Sequence, residues 1–347
     1  MLQKIINNFT KLITKENAKE KTNVFKIRSY QKVIKLFNNE QTNNYDTFTI
    51  DDFTTFLKKN GMKNPKKTID KISQIIETGE IKEATMTIKE KDKINAVKEF
   101  TSVYAIGPAK AKDLYLTYNI KTVKELRQLI KDTNNQIPEA NKPEETKKSK
   151  TKKVTTILNK KQLIGLQYYE DLLERIPRKE IKQFDDWINH IIQTKYNNQI
   201  QFTIAGSYRR GKKTSGDIDL LITSNVYKNN EAMNLIIQEL KDIGYLKETL
   251  AKGKKKFMGI ISIDNQPCRH LDIVETTEED YPFAILYFTG SGPFNVKMRK
   301  LALDKGYSIN EYAMTIKKTK ERVDHIFKTE KDIFTFLGMD YKLPIER

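Results

Sequence analysis

Cysteine, arginine and long apolar runs are all scarce in this chain. Its 347 residues include one cysteine, Cys268, which excludes an intramolecular disulfide and a zinc site built on cysteine thiolates. No stretch approaches the roughly 18 consecutive apolar residues of a spanning helix. The amino terminus, MLQKIINNFTKLITKEN, is interrupted by Lys4 and Lys11 before an apolar core of signal-peptide length develops. The sequence therefore predicts neither secretion nor membrane insertion. The expected location is intracellular, in nucleus or cytoplasm, or in a virion or viral factory if the source is viral. Only ten of the 63 basic residues are arginine, and asparagine is common, a bias that accompanies AT-rich coding genomes, viral ones included. Where lysine is the default cation, each arginine draws attention, because its rigid fork matches phosphate and carboxylate oxygens.

Positive charge is what the chain has in excess. Sixty-three basic against 45 acidic residues give a net charge of +18. Such a balance calls for a polyanionic partner, nucleic acid before membrane surface.

Residues 1–90 read as mainly helical. Asn64 is a plausible N-cap, Pro65 occupies the first helical position and Gly79 lies just past the end. Within that helix Ile69, Ile72 and Ile76 share one face, and Lys67 and Lys71 share another. Two short helices flank Ala105-Ile106-Gly107-Pro108, and residues 132–160, polar and proline-containing, read as a flexible insertion. From about 160 helices alternate with short β-like runs, Gln201–Ala205, Ile218–Thr223, Met258–Ile263 and Leu271–Val274. The expectation is a multidomain α+β protein with a mixed or antiparallel sheet, dividing at 1–90, 91–174, 175–277 and 278–347.

The densest chemical signal is GSYRRGKKTSGDID, residues 206–219. Asp217 and Asp219, two apart on a strand, point to one face. Such oxygens suit hard divalent cations, and Mg²⁺ takes carboxylates together with phosphate oxygens. A metal pair about 4 Å apart can activate an attacking hydroxyl and stabilise a leaving pyrophosphate. Asp272, between apolar residues on a β-like run, would be costly to bury without such a role. Gly206-Ser207 supplies a turn whose N–H and hydroxyl can hold phosphate. Taken alone, the Asp-x-Asp pair also fits an ordinary surface turn.

Taken together, these residues resemble the signature of the nucleotidyltransferase superfamily, and more closely the version in family X DNA polymerases, of the polymerase beta kind. VYAIGPAKA (103–111) is similar to the second helix-hairpin-helix of that family. IGLQYYEDLLERIPRKE (164–180), YFTGSGPFN (287–295), MRKLALDKGYSINEY (298–312) and the final DIFTFLGMDYKLPIER match later landmarks in order. The likeness is dense from 100 onward and thin before 60. It implies a helical lyase domain, a helix-hairpin-helix domain, a nucleotidyltransferase palm and a small nucleotide-selecting α+β carboxyl-terminal domain.

Carried over by position, the resemblance implies that Asp217, Asp219 and Asp272 hold two Mg²⁺, with Mn²⁺ able to substitute. Arg175, Ser207, Arg210 and Gly216 would hold the triphosphate of an incoming dNTP. Tyr287, Phe288 and Gly290 would flank its sugar, Asn295 would touch the base, and Arg299 would lie on the templating strand. Tyr287 and Phe288, being adjacent, are expected in a ligand-lining turn and not in a core. Arg175, Arg209, Arg210, Arg269 and Arg299, among the ten arginines, fall in or beside these stretches. Thr101, Val103 and Ile106 would offer carbonyls to a monovalent cation, Na⁺ or K⁺, with Gly107 at a DNA phosphate, although Ala105 replaces a usual glycine.

In the amino-terminal region the resemblance implies 5′-deoxyribose-phosphate lyase chemistry through a Schiff base on Lys71. Lys63, Lys66 and Lys67 are expected to crowd Lys71 and favour its free amine, with Lys67 also on DNA. Lys26 and Tyr30 fall where a 5′-phosphate would bind. The first hairpin reads Lys63-Asn64-Pro65 in place of Gly-x-Gly, so a second cation site, at Lys59, Gly61 and Asn64, follows only by register. A solvated basic helix face that grips DNA is the plainer alternative. The implied partners are gapped or nicked DNA with a 5′-phosphate and dNTPs, acted on by a monomer in base excision repair, with a DNA ligase partner left unspecified. The alternatives are a template-independent terminal nucleotidyltransferase and a non-catalytic DNA-end-binding protein. The intact aspartate set argues against the latter.

Overall fold

A computed structural model describes residues 1–19, 21–39, 45–135, 157–264 and 266–347. The chain forms two compact units, Met1–Gln162 and Leu163–Arg347. No described helix is long and apolar enough to cross a membrane.

The first unit is helical. Helices α1 (Leu2–Ala18), α2 (Val24–Asn39), α3 (Ile50–Lys59) and α4 (Lys66–Thr78) enclose one core, with Phe9, Val33, Phe37, Phe53, Leu57 and Ile72 fully buried. A capping box, Thr49 with Asp52, starts α3. Gly79 ends α4 in the left-handed region, φ +79°, its N–H donating to the Ile75 carbonyl at 2.9 Å. The cap at the other end of α4 is Pro65, one residue later than expected, and the buried face is Thr68, Ile72 and Ile75. Ile76, expected on that face, is exposed.

Helices α5 (Ile88–Thr101), α6 (Pro108–Tyr118) and α7 (Val123–Asn135) follow, the first begun by a Thr87–Glu90 capping box. Both ends of the segment expected to be flexible, 132–160, are ordered. Residues 132–135 complete α7, Leu158 is buried, and α8 (Lys160–Gln167) begins at 160. The rest of that segment, 136–156, lies outside the described residues.

After α8 and a break at Tyr168 comes α9 (Tyr169–Leu173) of the second unit. There follow β1 (Ile176–Pro177), α10 (Arg178–Tyr196), β2 (Gln201–Ile204), α11 (Gly206–Arg209), β3 (Thr214–Ser215) and β4 (Ile218–Thr223). Then come α12 (Glu231–Asp242), β5 (Leu246–Lys252), β6 (Lys256–Ile261) and β7 (Arg269–Thr276). The main sheet has the order β2-β4-β7-β6-β5 and is mixed, because β4 and β7 run parallel while the other neighbours are antiparallel. Helices α10 and α12 pack on this sheet through Phe184, Ile188, Ile236 and Leu240. Each of these side chains buries enough apolar surface to contribute roughly 1.5–3 kcal/mol.

A separate core holds α13 (Tyr281–Thr289), α14 (Gly292–Asp304), β8 (Tyr307–Ile309), β9 (Met314–Ile316) and α15 (Glu330–Phe336) together. Here Tyr287 and Phe288 close a helix; they do not sit in the expected turn, and both are half-buried. A run as apolar as YPFAILYFT has no helical periodicity to reveal it.

Candidate active site

The parallel pairing of β4 with β7 sets Asp219 and Asp272 directly opposite each other. Asp217 precedes β4 by one residue. Burial, and then the charges of Asp217 and Asp272, push the Asp219 carboxyl up to about 7. Asp217 is raised as well, by burial first and then by Asp272. Three carboxylates have thus been drawn together without enough local positive charge to balance them.

Gly206 explains how Asp219 fits. It adopts φ +55° at the start of α11, and a Cβ there would overlap the Asp219 Oδ2. The glycine that gives the turn its conformation also makes room for the carboxylate.

An open cleft of about 730 Å³ adjoins these aspartates. Asp217 and Asp219 line it with Arg175, Ser207, Arg210 and Gly216. Tyr287, Phe288, Gly290 and Asn295 line it from the other domain. The eight residues expected at a nucleotide therefore border one space. Arg175 is held by the Thr214 carbonyl at 2.7 Å and the Thr214 hydroxyl at 3.2 Å, and its Nη1 lies against Gly216. Arg210 donates through Nη1 to the Thr289 carbonyl, while its buried Nε has no partner. Asn295 donates to the Tyr287 carbonyl at 2.8 Å, and the Arg299 guanidinium lies 5.1 Å from the centre of the Tyr287 ring. The Gly290–Ser291 peptide is cis.

Two arginines noted with those sequence stretches pair with carboxylates. Arg269 pairs with Glu180 at 2.7 Å with both side chains buried, and Arg209 pairs with Glu330 at 2.7 Å. Glu330 also receives the fully buried Arg347 at 2.6 Å. The rigid fork serves carboxylates here, so scarcity of arginine marked fork chemistry without specifying phosphate. The sequence reading also missed Lys256, whose ammonium contacts Asp272 Oδ2 at 2.6 Å, and His270, which stands two residues before Asp272 on β7. Strand alternation carried the signal for His270. Nothing local carried one for Lys256, which reaches Asp272 from a neighbouring strand.

Among the described residues, no three His, Cys, Asp or Glu side chains stand as a ready metal cage. The donor set nonetheless fits Mg²⁺. It is all oxygen, its charges repel one another, and a lysine ammonium already serves Asp272 as a cation.

In the first unit, Thr101 ends α5, Val103 and Ile106 lie in the turn before α6, and Gly107 caps α6. The Val103 carbonyl accepts the Ile106 N–H at 3.1 Å. Ala105 adopts φ +64°, a conformation costing an L-residue about 1–2 kcal/mol, and its carbonyl accepts a hydrogen bond from Gln162 at 3.1 Å. At the first hairpin the Lys32 ammonium donates to the Gly61 carbonyl at 2.8 Å.

Lys71 differs from expectation in its surroundings. Its ammonium contacts the Glu83 carboxylate, whose other oxygen lies 3.6 Å from Lys26 Nζ. Crowding by Lys63, Lys66 and Lys67 was the expected influence, but the contact is a carboxylate brought by the turn after Gly79. Tyr30 is buried nearby on α2, and burial, followed by the Glu83 charge, pushes its phenol up to about 12.

A mixed sheet with aspartates opposed across a parallel strand pair, a glycine-started helix beside them and a cleft shared with a following α+β domain define a polymerase palm and thumb. Residues 175–278 match the DNA polymerase beta palm and residues 284–347 the DNA polymerase beta thumb. Through these two regions the chain resembles the family X DNA polymerases, polymerase beta among them. It is 26% identical over 298 residues to DNA polymerase lambda of Rattus norvegicus, covering 81% of this chain and 47% of that one. With DNA polymerase lambda of Arabidopsis thaliana it shares 24% over 298 residues, covering 80% and 51%. With the DNA nucleotidylexotransferase of Gallus gallus it shares 27% over 311 residues, covering 80% and 56%. The chain spans about half the length of these relatives.

Proposed function

We propose that the chain is a template-directed DNA polymerase that fills short gaps during base excision repair, and that its amino-terminal region is a 5′-deoxyribose-phosphate lyase acting through Lys71. The observation that carries the polymerase reading is the single cleft. Asp217 and Asp219, the Arg175 and Arg210 forks, the glycine-serine helix start, and Tyr287 and Phe288 all line it. Mg²⁺ held by Asp217, Asp219 and Asp272 would supply charge to the transferring phosphoryl oxygens. Arg175 and the unpartnered Nε of Arg210 would bind the triphosphate. The backbone and rings at Tyr287 and Phe288 would crowd a ribose 2′-hydroxyl. The Ala105–Gly107 hairpin would present N–H groups to a DNA phosphate, a contact that positions the duplex without reading sequence.

The lyase reading is supported by Lys71, Lys26 and Tyr30 converging at Glu83. Lys26 would hold the 5′-phosphate while the Lys71 amine attacks the sugar aldehyde.

The test is primer extension on single-stranded, nicked, one-nucleotide-gapped and open substrates with each dNTP supplied alone. Complementary incorporation at the gap is expected. Unselective addition to a single-stranded 3′ end would make the enzyme a terminal transferase, and extension of none of the substrates would end the polymerase reading.

A further inference from the structure

The Glu83 carboxylate sits where the two ends of a deoxyribose phosphate would be held, and this placement has a chemical use. One oxygen contacts the Lys71 ammonium and the other lies 3.6 Å from Lys26 Nζ. A sugar joined to Lys71 at C1′ and held by its 5′-phosphate at Lys26 spans the carboxylate, and C2′ is the carbon next to C1′. We propose that Glu83 is the proton-transfer residue of the Schiff-base cycle, relaying the Lys71 proton and then removing the C2′ proton. This assignment rests on the lyase reading above.

The backbone holds Glu83 in place. It lies in a single 3₁₀ turn, Lys82–Ala84, between the buried residues Ile81 and Ala84. The Ile81 N–H donates to the Asn8 side chain at 3.1 Å, and the Lys82 N–H donates to the Gln74 side chain at 3.2 Å. The hydrogen bond from Lys71 outweighs the opposing effect of burial and, with lesser help from the charges of Lys71 and Lys26, holds the Glu83 carboxyl below its ordinary range. It is therefore an ionised base at neutral pH. Tyr30 stays a neutral phenol beside it.

The steps balance without a co-reactant other than water. Glu83 accepts a proton from the Lys71 ammonium, and the free amine adds to the C1′ aldehyde to give a carbinolamine. The protonated Glu83 returns that proton to the departing hydroxyl, which leaves as water, and a C1′ iminium forms. Glu83, again ionised, takes the C2′ proton. The C–H electron pair becomes the C2′–C3′ double bond, and the C3′–O bond breaks with its electrons going to the 5′-phosphate of the downstream strand. Water then hydrolyses the iminium, frees the unsaturated sugar phosphate and restores the Lys71 ammonium, and Glu83 gives up the C2′ proton to solvent.

The experiment compares wild type, Glu83→Gln and Glu83→Asp on a duplex carrying an incised abasic site. It measures strand release and the complex trapped by borohydride, with melting temperature and gapped-DNA binding recorded alongside. Removal of a general base costs typically 10²–10⁴-fold, so Glu83→Gln should lower release by about 100-fold or more. Trapped imine should form more slowly yet reach at least the wild-type level, because the amine remains and water can take its proton while the C2′ base is missing. Glu83→Asp should release at an intermediate rate. Undiminished release by Glu83→Gln would overturn the assignment. Parallel loss of trapping and release in a normally folded Glu83→Gln would overturn it too, leaving Glu83 as a residue that only positions Lys71. Failure of wild type to release or be trapped would remove the lyase reading itself, and with it this proposal.

Discussion

The aspartate cleft and the Lys71 cluster are assembled by different means. At the cleft the main chain does the placing: β4 and β7 pair in register, and Gly206 leaves the gap into which Asp219 fits. At Lys71 only side chains meet, between one face of α4, one turn of α2 and the short segment after Gly79. Backbone-placed groups tolerate little change of position, whereas long side chains exchange partners at modest cost. The first site should therefore fail abruptly and the second by degrees, except where chemistry needs one particular atom.

Asp219→Ala tests the cleft most severely. Losing several kcal/mol of transition-state charge stabilisation, at 1.36 kcal/mol per tenfold, should reduce single-turnover incorporation by about 10³-fold or more. DNA binding should change little. Chelation of divalent metal should have the same effect, reversed by Mg²⁺ or Mn²⁺, and appreciable incorporation by the variant would show the aspartates to be misassigned. The counterpart at the other site is Lys71→Arg, which keeps the charge and removes the nucleophile. It should bind gapped DNA almost normally yet form no borohydride-trapped complex, while Asp219→Ala is trapped like wild type. Undiminished trapping of Lys71→Arg would move the nucleophile elsewhere, with Lys67 next in line.

A pair of glycines sharpens the contrast. Both Gly206 and Gly79 have positive φ, but an added methyl meets Asp219 at the first and nothing within 4 Å at the second. Gly79→Ala should cost only the left-handed conformation, about 1–2 kcal/mol in thermal or chemical denaturation. Gly206→Ala should cost that and also displace the carboxylate, lowering incorporation by about tenfold or more, since small misplacements of reacting groups are expensive. Equal effects of the two variants on stability and on incorporation would remove the close-fit account.

The smallest effect is expected from Lys256→Met. The Lys256–Asp272 contact is half exposed on the lysine side, so it contributes at most about 1 kcal/mol. Its loss should lower the Mg²⁺ concentration for half-maximal incorporation by no more than about fivefold. An unchanged or raised Mg²⁺ requirement would mean that Lys256 does not compete with the metal.

The same division governs what could be read from the sequence. Ile218–Thr223 was legible as a strand because it is short, apolar and bounded by Gly-Asp and Ser-Asn, but the opposition of Asp219 to Asp272 comes from the β4–β7 register, which no local pattern carries. Strand β5 was not legible. LKETLAK is rich in charge, and irregular register at Leu246/Glu248 and Thr249/Ala251 breaks its period. Helix α13 was hidden by being apolar on every side. The partners of Arg269 and Lys71 were invisible for another reason. Glu180 lies 89 residues from Arg269, and Glu83 lies beyond a helix end from Lys71, so no spacing rule connects either pair.

The parallel register of β4 and β7 has a bearing on how such a protein can vary. The chain leaves β4 after Thr223, adds β5 and β6 at the far edge of the sheet, and comes back beside β4 in β7 with Leu271 level with Ile218. Everything between, α12 and the β5–β6 hairpin included, is an excursion whose two ends are fixed by strand pairing. Residues added in the turn between β4 and α12, ahead of the Asn230 cap, need not move either carboxylate. Length can drift there over generations while Asp219 and Asp272 keep their separation.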